Sequence, residues 1–134
     1  MLDAQLRREI VLTMPNRVGL LADICRLLGD MGINLLSIVV DASGETAEIR
    51  LIVTSQSYAF DALREAGFGV DERDVVVIEV PHYPGFLCRV SEALARKDIS
   101  LIDLHATVSE EGSTAVVVFS CSDNGRTVQM LRGR

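Results

Sequence analysis

"MPNRVGLLADICRLLGDMGINL" (residues 14–35) is answered 66 residues later by "VPHYPGFLCRVSEALARKDISL" (residues 80–101). At that offset Pro15 meets Pro81, Gly19 meets Gly85, Leu21 meets Leu87, Leu28 meets Leu94, Ile33 meets Ile99 and Leu35 meets Leu101. A Pro and a Gly kept in register, with the same order of elements around them, point to an internal duplication. Each copy reads as a strand, a sharp turn, an amphipathic helix and a second strand. In the first copy "EIVLTM" (9–14) is the strand, and residues 18–31 place Val18, Leu21, Ile24, Cys25 and Leu28 at helical spacing. Gly32 ends that helix, and residues 33–42 form the next strand.

Outward from the motif, Ser43-Gly44 predicts a hairpin turn. Residues 46–53 return as a half-buried antiparallel strand, because Ala47, Ile49, Leu51 and Val53 alternate with Glu48, Arg50 and Ile52. Residues 57–66 predict a second helix, with Ser55 or Ser57 as its N-cap and Gly67 at its stop. A short closing strand is expected at 68–71 and a longer one at 74–80, where the grammar restarts. The second copy follows with a helix at 85–97 (Leu87, Val90 and Leu94 inward), a strand at 99–108, the turn "SEEGS" and a strand at 114–121. It finishes on "TVQMLRGR", a helix with no strand after it. The predicted fold is therefore α+β. It has two ferredoxin-like βαββαβ units, residues 1–72 and 73–134, each an antiparallel sheet with helices on one face, the second lacking a clear last strand. Such an edge must be short, covered or paired with another chain, so a homodimer is expected.

Composition narrows the function classes. The 134 residues are 49% hydrophobic and 24% charged, a globular balance, and aromatics are 4% with no Trp, so the core must be aliphatic. The net charge of -6 argues against nucleic acid or an anionic membrane as partner, and the strands lack the stacking aromatics an RNA-binding sheet needs. The runs Arg7-Arg8 and Glu110-Glu111 read as solvated surface. With no apolar leader and no run of membrane-spanning length, a cytoplasmic protein is expected. Cys25, Cys88 and Cys121 show no metal-ligand or disulfide spacing and read as core thiols, although the helix dipole could lower the pKa of Cys88. Asp41, Asp103 and Asp123 lack paired spacing, His105 reads as a structural histidine, and no nucleophile stands beside a base. No metal, cofactor or enzymatic activity is expected.

Gly19 and Gly85 stand where a chain leaving a strand must turn into a helix. The missing Cβ permits an unusual φ, and the helix start presents unpaired N–H groups suited to a carboxylate. "PNRVGLLADICRLLGDMGINLLSI" and "PHYPGFLCRVSEALARKDISLIDL" resemble the signature of the ACT domain family of regulatory modules, over nearly the whole chain, in the manner of tandem stand-alone ACT proteins. The resemblance implies that a small amino acid binds in the crevice between neighbouring ACT units, and that the protein regulates a separate enzyme or transporter in trans. Carried over, the ligand-binding positions are Asn16, Arg17, Val18, Gly19, Leu20 and Leu21, with Asn34 opening the second strand. In the second copy they are His82, Tyr83, Pro84, Gly85, Phe86 and Leu87, with Ser100 in the Asn34 position. Two positions depart from the family pattern: Val18 replaces the usual Pro before the loop Gly, and Asp98 with Ser100 replaces Gly and Asn. The competing expectation is an assembly module without a ligand. Saturable amino-acid binding separates the two.

Overall fold

The structure, a computed structural model, describes residues 3–81, 83–108, 112 and 114–133. It contains, among the described residues, β1 (Asp3–Pro15), α1 (Leu20–Asp30), β2 (Leu35–Asp41), β3 (Thr46–Val53) and α2 (Gln56–Glu65). The same order then recurs as β4 (Gly69–Pro81), α3 (Phe86–Arg96), β5 (Leu101–Val108), β6 (Thr114–Cys121) and α4 (Asn124–Arg132). The chain divides into two compact units, Arg8–Arg73 and Asp74–Arg134 with the N-terminal residues up to Arg7.

In the first unit the strand order is β2, β3, β1 and then residues 69–73, the start of β4. β1 and β3 run antiparallel with Ile10 opposite Leu51, Leu12 opposite Ile49 and Met14 opposite Ala47, so these alternate positions share one face. That face is the core. Leu20, Ile24 and Leu28 of α1 and Ala59 and Leu63 of α2 are buried against it, while Phe68 and Val70 pack on it beside β1. Burial of an aliphatic side chain of this size stabilises by about 1.5–3 kcal/mol. Residues 69–73 are also held by charge: Arg73 Nε donates to Glu9 Oε1 at 2.6 Å, with Glu9 only 1% exposed, and Arg8 pairs with Glu72 at 2.9 Å.

The second unit repeats this logic. β4 pairs with β6 and β6 with β5, aligning Val76 with Phe119, Ile78 with Val117 and Leu104 with Phe119. Val90 and Leu94 of α3 and Val128 and Leu131 of α4 cover that face. The place of the missing last strand is taken by the N-terminal end of β1. Ala4 is 1% exposed within this core, and Arg132 Nε donates to Ala4 O at 2.7 Å.

Three details differ from the sequence reading. The separate strands expected at 68–71 and 74–80 are one continuous strand, Gly69–Pro81, because nothing between them breaks an extended backbone. The expected inward positions Ile24, Leu28, Val90 and Leu94 are buried, but those at the helix starts are not. α1 begins at Leu20, so Leu20, Ile24 and Leu28 point inward at i, i+4, i+8, while Val18 is fully exposed and Leu21 is 41% exposed. α3 likewise buries Val90, Ala93 and Leu94, and leaves Leu87 exposed. Cys25 and Cys88 fall on the outer faces of these helices, and of the three thiols expected in the core only Cys121 is buried.

Candidate functional site

The turn that carries the shared phrase is built by its backbone. Pro15 ends β1 opposite Thr46, and Asn16 then clamps the chain to the β2–β3 hairpin. Its N–H donates to Glu45 O at 2.7 Å, and its Nδ2 donates to Ala42 O at 3.1 Å and Gly44 O at 3.3 Å. Leu20 N donates to Arg17 O at 3.3 Å, closing a turn in which Gly19 takes φ 86°, ψ 0°. Gly85 takes φ 87°, ψ -5° at the matching place, with Phe86 N donating to Tyr83 O at 3.3 Å. This left-handed conformation is open to Gly at little cost and strains residues that carry a Cβ. Because glycine is the N-cap, no side chain caps either helix. Asp23 N reaches Gly19 O, whereas the N–H groups of Leu21 and Ala22 have no carbonyl within the helix to meet.

Beside these amides, within the first unit, lies a cleft of ≈ 260 Å³. Asn16, Arg17, Gly19, Leu20, Leu21 and Ala22 form one wall, and Val40, Ala42, Ala47 and Ile49 of the hairpin form the other. The hairpin wall follows from register: Val40 of β2 stands opposite Ile49 of β3, on the face that α1 covers only in part. At the mouth one carboxylate stands between two guanidinium groups. Arg17 Nη2 donates to Asp23 Oδ2 at 2.5 Å, and Arg26 Nη1 approaches the other carboxylate oxygen at 3.5 Å. The hydrogen bond from Arg17, reinforced by its charge, holds the Asp23 carboxyl below the usual carboxylate range.

The structure thus brings Asn16, Arg17, Gly19, Leu20 and Leu21 together, and leaves two of the sequence-predicted positions outside the cleft. Val18 projects into solvent. Asn34 stands at the far end of β2, where its N–H donates to Thr54 Oγ1 at 3.2 Å and its carbonyl accepts from Thr54 N at 3.1 Å. Ala22, Val40, Ala42, Ala47 and Ile49 were not anticipated. The signal for the last four was the alternation along the hairpin, which becomes a wall only once the register is known.

In the second unit Tyr83, Pro84, Gly85, Phe86 and Leu87 occupy the corresponding turn, and His82 lies outside the described residues. Tyr83 OH accepts from Arg89 Nη1 at 3.0 Å, and its ring meets Phe86 edge to face at 5.2 Å. The polarity is reversed relative to the first unit, where position 17 is the cation and position 23 the carboxylate. Ser100 resembles Asn34 in its backbone ties: its N–H donates to Ser122 Oγ at 3.0 Å, and its carbonyl accepts from Ser122 N at 2.9 Å. At Cys88 the start of the helix does not set the direction of the thiol's pKa. A hydrogen bond to Glu92 at 3.3 Å, and that carboxylate's charge, raise it. Among the described residues no cluster of His, Cys, Asp and Glu could hold a metal ion.

A left-handed Gly turn, an uncapped helix and an adjoining cleft on a βαββα scaffold describe a ferredoxin-like α+β protein with a small-molecule-sized recess. Residues 8–58 match the model of the ACT domain family, so the first unit carries an ACT domain, as the sequence resemblance implied. No curated protein matches the chain in sequence. Among solved structures, a protein from Bacteroides thetaiotaomicron is similar over 97% of this chain and 89% of its own, with a TM-score of 0.88 and 24% identity. The ligand-free regulatory subunit of aspartate kinase from Thermus thermophilus is similar over 97% of this chain and 95% of its own (TM-score 0.70, 16% identity). The fold of both units is therefore that of ACT-type ferredoxin-like repeats.

Proposed function

We propose that this chain binds a free amino acid and passes the binding event to a partner protein in trans, as a regulatory module without catalytic activity. The observation that carries this reading is the juxtaposition of uncapped α1 amides with a cleft of ≈ 260 Å³, room for a small metabolite. The ACT domain match and the fold of a protein described as a regulatory subunit support it. In this reading Asn16, Arg17, Gly19, Leu20 and Leu21 form the first-unit site, and the amides of Leu21 and Ala22 take the ligand carboxylate. Asn34 and Ser100 serve ligands reached from a neighbouring ACT unit, and the turn from Tyr83 to Leu87 forms a second site of different charge. Regulation requires that the ligand distinguish two states of the partner complex, because it shifts an equilibrium only by its difference in affinity. Among the described residues no helix is long and apolar enough to cross a membrane, in keeping with action in the cytoplasm.

The test is thermal unfolding against each of the twenty amino acids at millimolar concentration. A ligand at one hundred times its Kd stabilises by about 2.7 kcal/mol, on the order of ten degrees for a chain of this size. The shift is expected for a small subset, and is expected to vanish in Gly19→Val with the far-ultraviolet spectrum unchanged. Assembly is a second reading, favoured by one observation: edge strand β2 exposes Leu36, Ile38 and Val40 by 52%, 38% and 45%. A homodimer joined along β2 accommodates that row, and light scattering at micromolar concentration checks it.

A further inference from the structure

The side-chain charge at the first-unit cleft is already satisfied, and this restricts what can enter. Arg17 is the charged residue among those lining the cleft, and its guanidinium is engaged by Asp23. The Asn16 amide group spends its hydrogens on two hairpin carbonyls. The other side chains at the space are apolar: Leu21, Ala22, Val40 and Ala42 are exposed there, over the buried Leu20, Ala47 and Ile49. At ≈ 260 Å³ the cleft lies below the roughly 300–1,000 Å³ of drug-sized pockets.

We propose that this cleft selects amino acids with short uncharged aliphatic side chains, of the valine and leucine kind, over those with charged ones; the inference rests on the cleft being the amino-acid site. A basic side chain placed there would meet Arg17 with no free carboxylate on the lining residues. An acidic one would find Arg17 already bonded to the Asp23 carboxylate, which repels it. Either charge would leave water for an apolar wall without a partner, which disfavours binding. An aliphatic side chain has no such conflict, and its carboxylate still finds the α1 amides.

Calorimetric titration of the full chain with L-valine, L-leucine, L-lysine and L-aspartate tests this. The expected result is that valine or leucine binds at least tenfold more tightly than lysine and aspartate. That binding is expected to be lost in Ala42→Phe, which fills the cleft from an exposed hairpin position. In Asp23→Asn the freed Arg17 is expected to raise aspartate affinity relative to valine. Lysine or aspartate binding as tightly as valine in the wild type, and lost in Ala42→Phe, overturns the selectivity and leaves the sensor reading standing. So does an unchanged ratio in Asp23→Asn, or a melting shift with some other amino acid while valine and leucine give none. Absence of binding by all twenty amino acids overturns both readings, and binding indifferent to Ala42→Phe overturns the cleft as the site and leaves the sensor reading standing.

Discussion

At the scale of single residues, the two copies of the shared phrase differ in what they do with charge. Arg17 and Asp23 cancel one another at the start of α1, whereas the matching pair in the second unit is Tyr83 and Arg89, which leaves a guanidinium beside a phenol. The cancellation has a pH signature. A carboxyl whose folded pKa is depressed contributes stability above its unfolded pKa, and loses it as pH falls through the folded value. For Asp23 the window therefore lies below about pH 4, the ordinary carboxylate region. Carboxyl-carbon NMR titration is expected to place the Asp23 midpoint below that of a free aspartate, and Arg17→Ala is expected to return it upward. A midpoint unmoved by Arg17→Ala would show that the ion pair does not form in solution. Because Asp23 is well exposed, the effect is one of site electrostatics more than of global stability.

At the scale of elements, α2 and α4 show how similar backbones end in different caps. Ser55 (φ -129°, ψ 74°) and Asp123 (φ -149°, ψ 84°) are the N-caps. Asp123 accepts from Arg126 N at 3.0 Å, while Ser55 makes no side-chain cap bond. The next residue repeats the contrast. Asn124 Oδ1 accepts from Cys121 N at 2.9 Å and its Nδ2 donates to Asp74 O at 3.0 Å, but Gln56, one methylene longer, buries Nε2 and Oε1 with no partner among the described residues. Transplanting the pair as Ser55→Asp with Gln56→Asn is expected to stabilise the first unit. The cap contributes about 0.5–2 kcal/mol, and satisfying a buried amide contributes about 1–3 kcal/mol. Chemical denaturation would show a higher midpoint at unchanged slope; an unchanged midpoint would mean that the Asn side chain fails to find its bonds there. Elements were legible in the sequence because the hydrophobic period that marks them is the same period that packs them, as in Ala47, Ile49, Leu51 and Val53. The first turn of each helix was less legible, because the Gly19 dihedral decides where α1 starts, so that Leu20 faces the core instead of Val18 or Leu21. The near wall of the cleft is drawn from one short stretch, Asn16, Arg17, Gly19, Leu20 and Leu21, from which Val18 turns outward and which Ala22 extends.

At the scale of the whole molecule, the feature hidden from sequence is that β1 and β4 each belong to both units. The chain passes between the units at residues 7–8 and again at 73–74, so each unit is closed by a strand end that the other unit's leading strand extends. Periodicity could not show this. "DAQLRRE" is polar and alternates only weakly, and the partners it finds, such as Arg132 against Ala4, lie at the opposite end of the chain. The second unit thus owes its last strand to residues 3–7, and its core cannot be completed until the N-terminus has docked. Ala4 is the point of entry into that core. Ala4→Asp would bury a carboxylate in the apolar core to which Ile78, Val117 and Leu131 belong, and is expected to cost at least about 2 kcal/mol. Leu6→Asp, at a position 48% exposed on the same strand, is expected to change stability by less than about 0.5 kcal/mol. Hydrogen exchange locates the damage. In Ala4→Asp the amides of β6 and α4 are expected to lose protection while those of β3 and α1 keep theirs, because the core of Arg8–Arg73 contains no residue from 3–7. Equal loss in β3 and β6 would mean that the units unfold as one body. Full protection in both would mean that the N-terminal residues are not part of the second core.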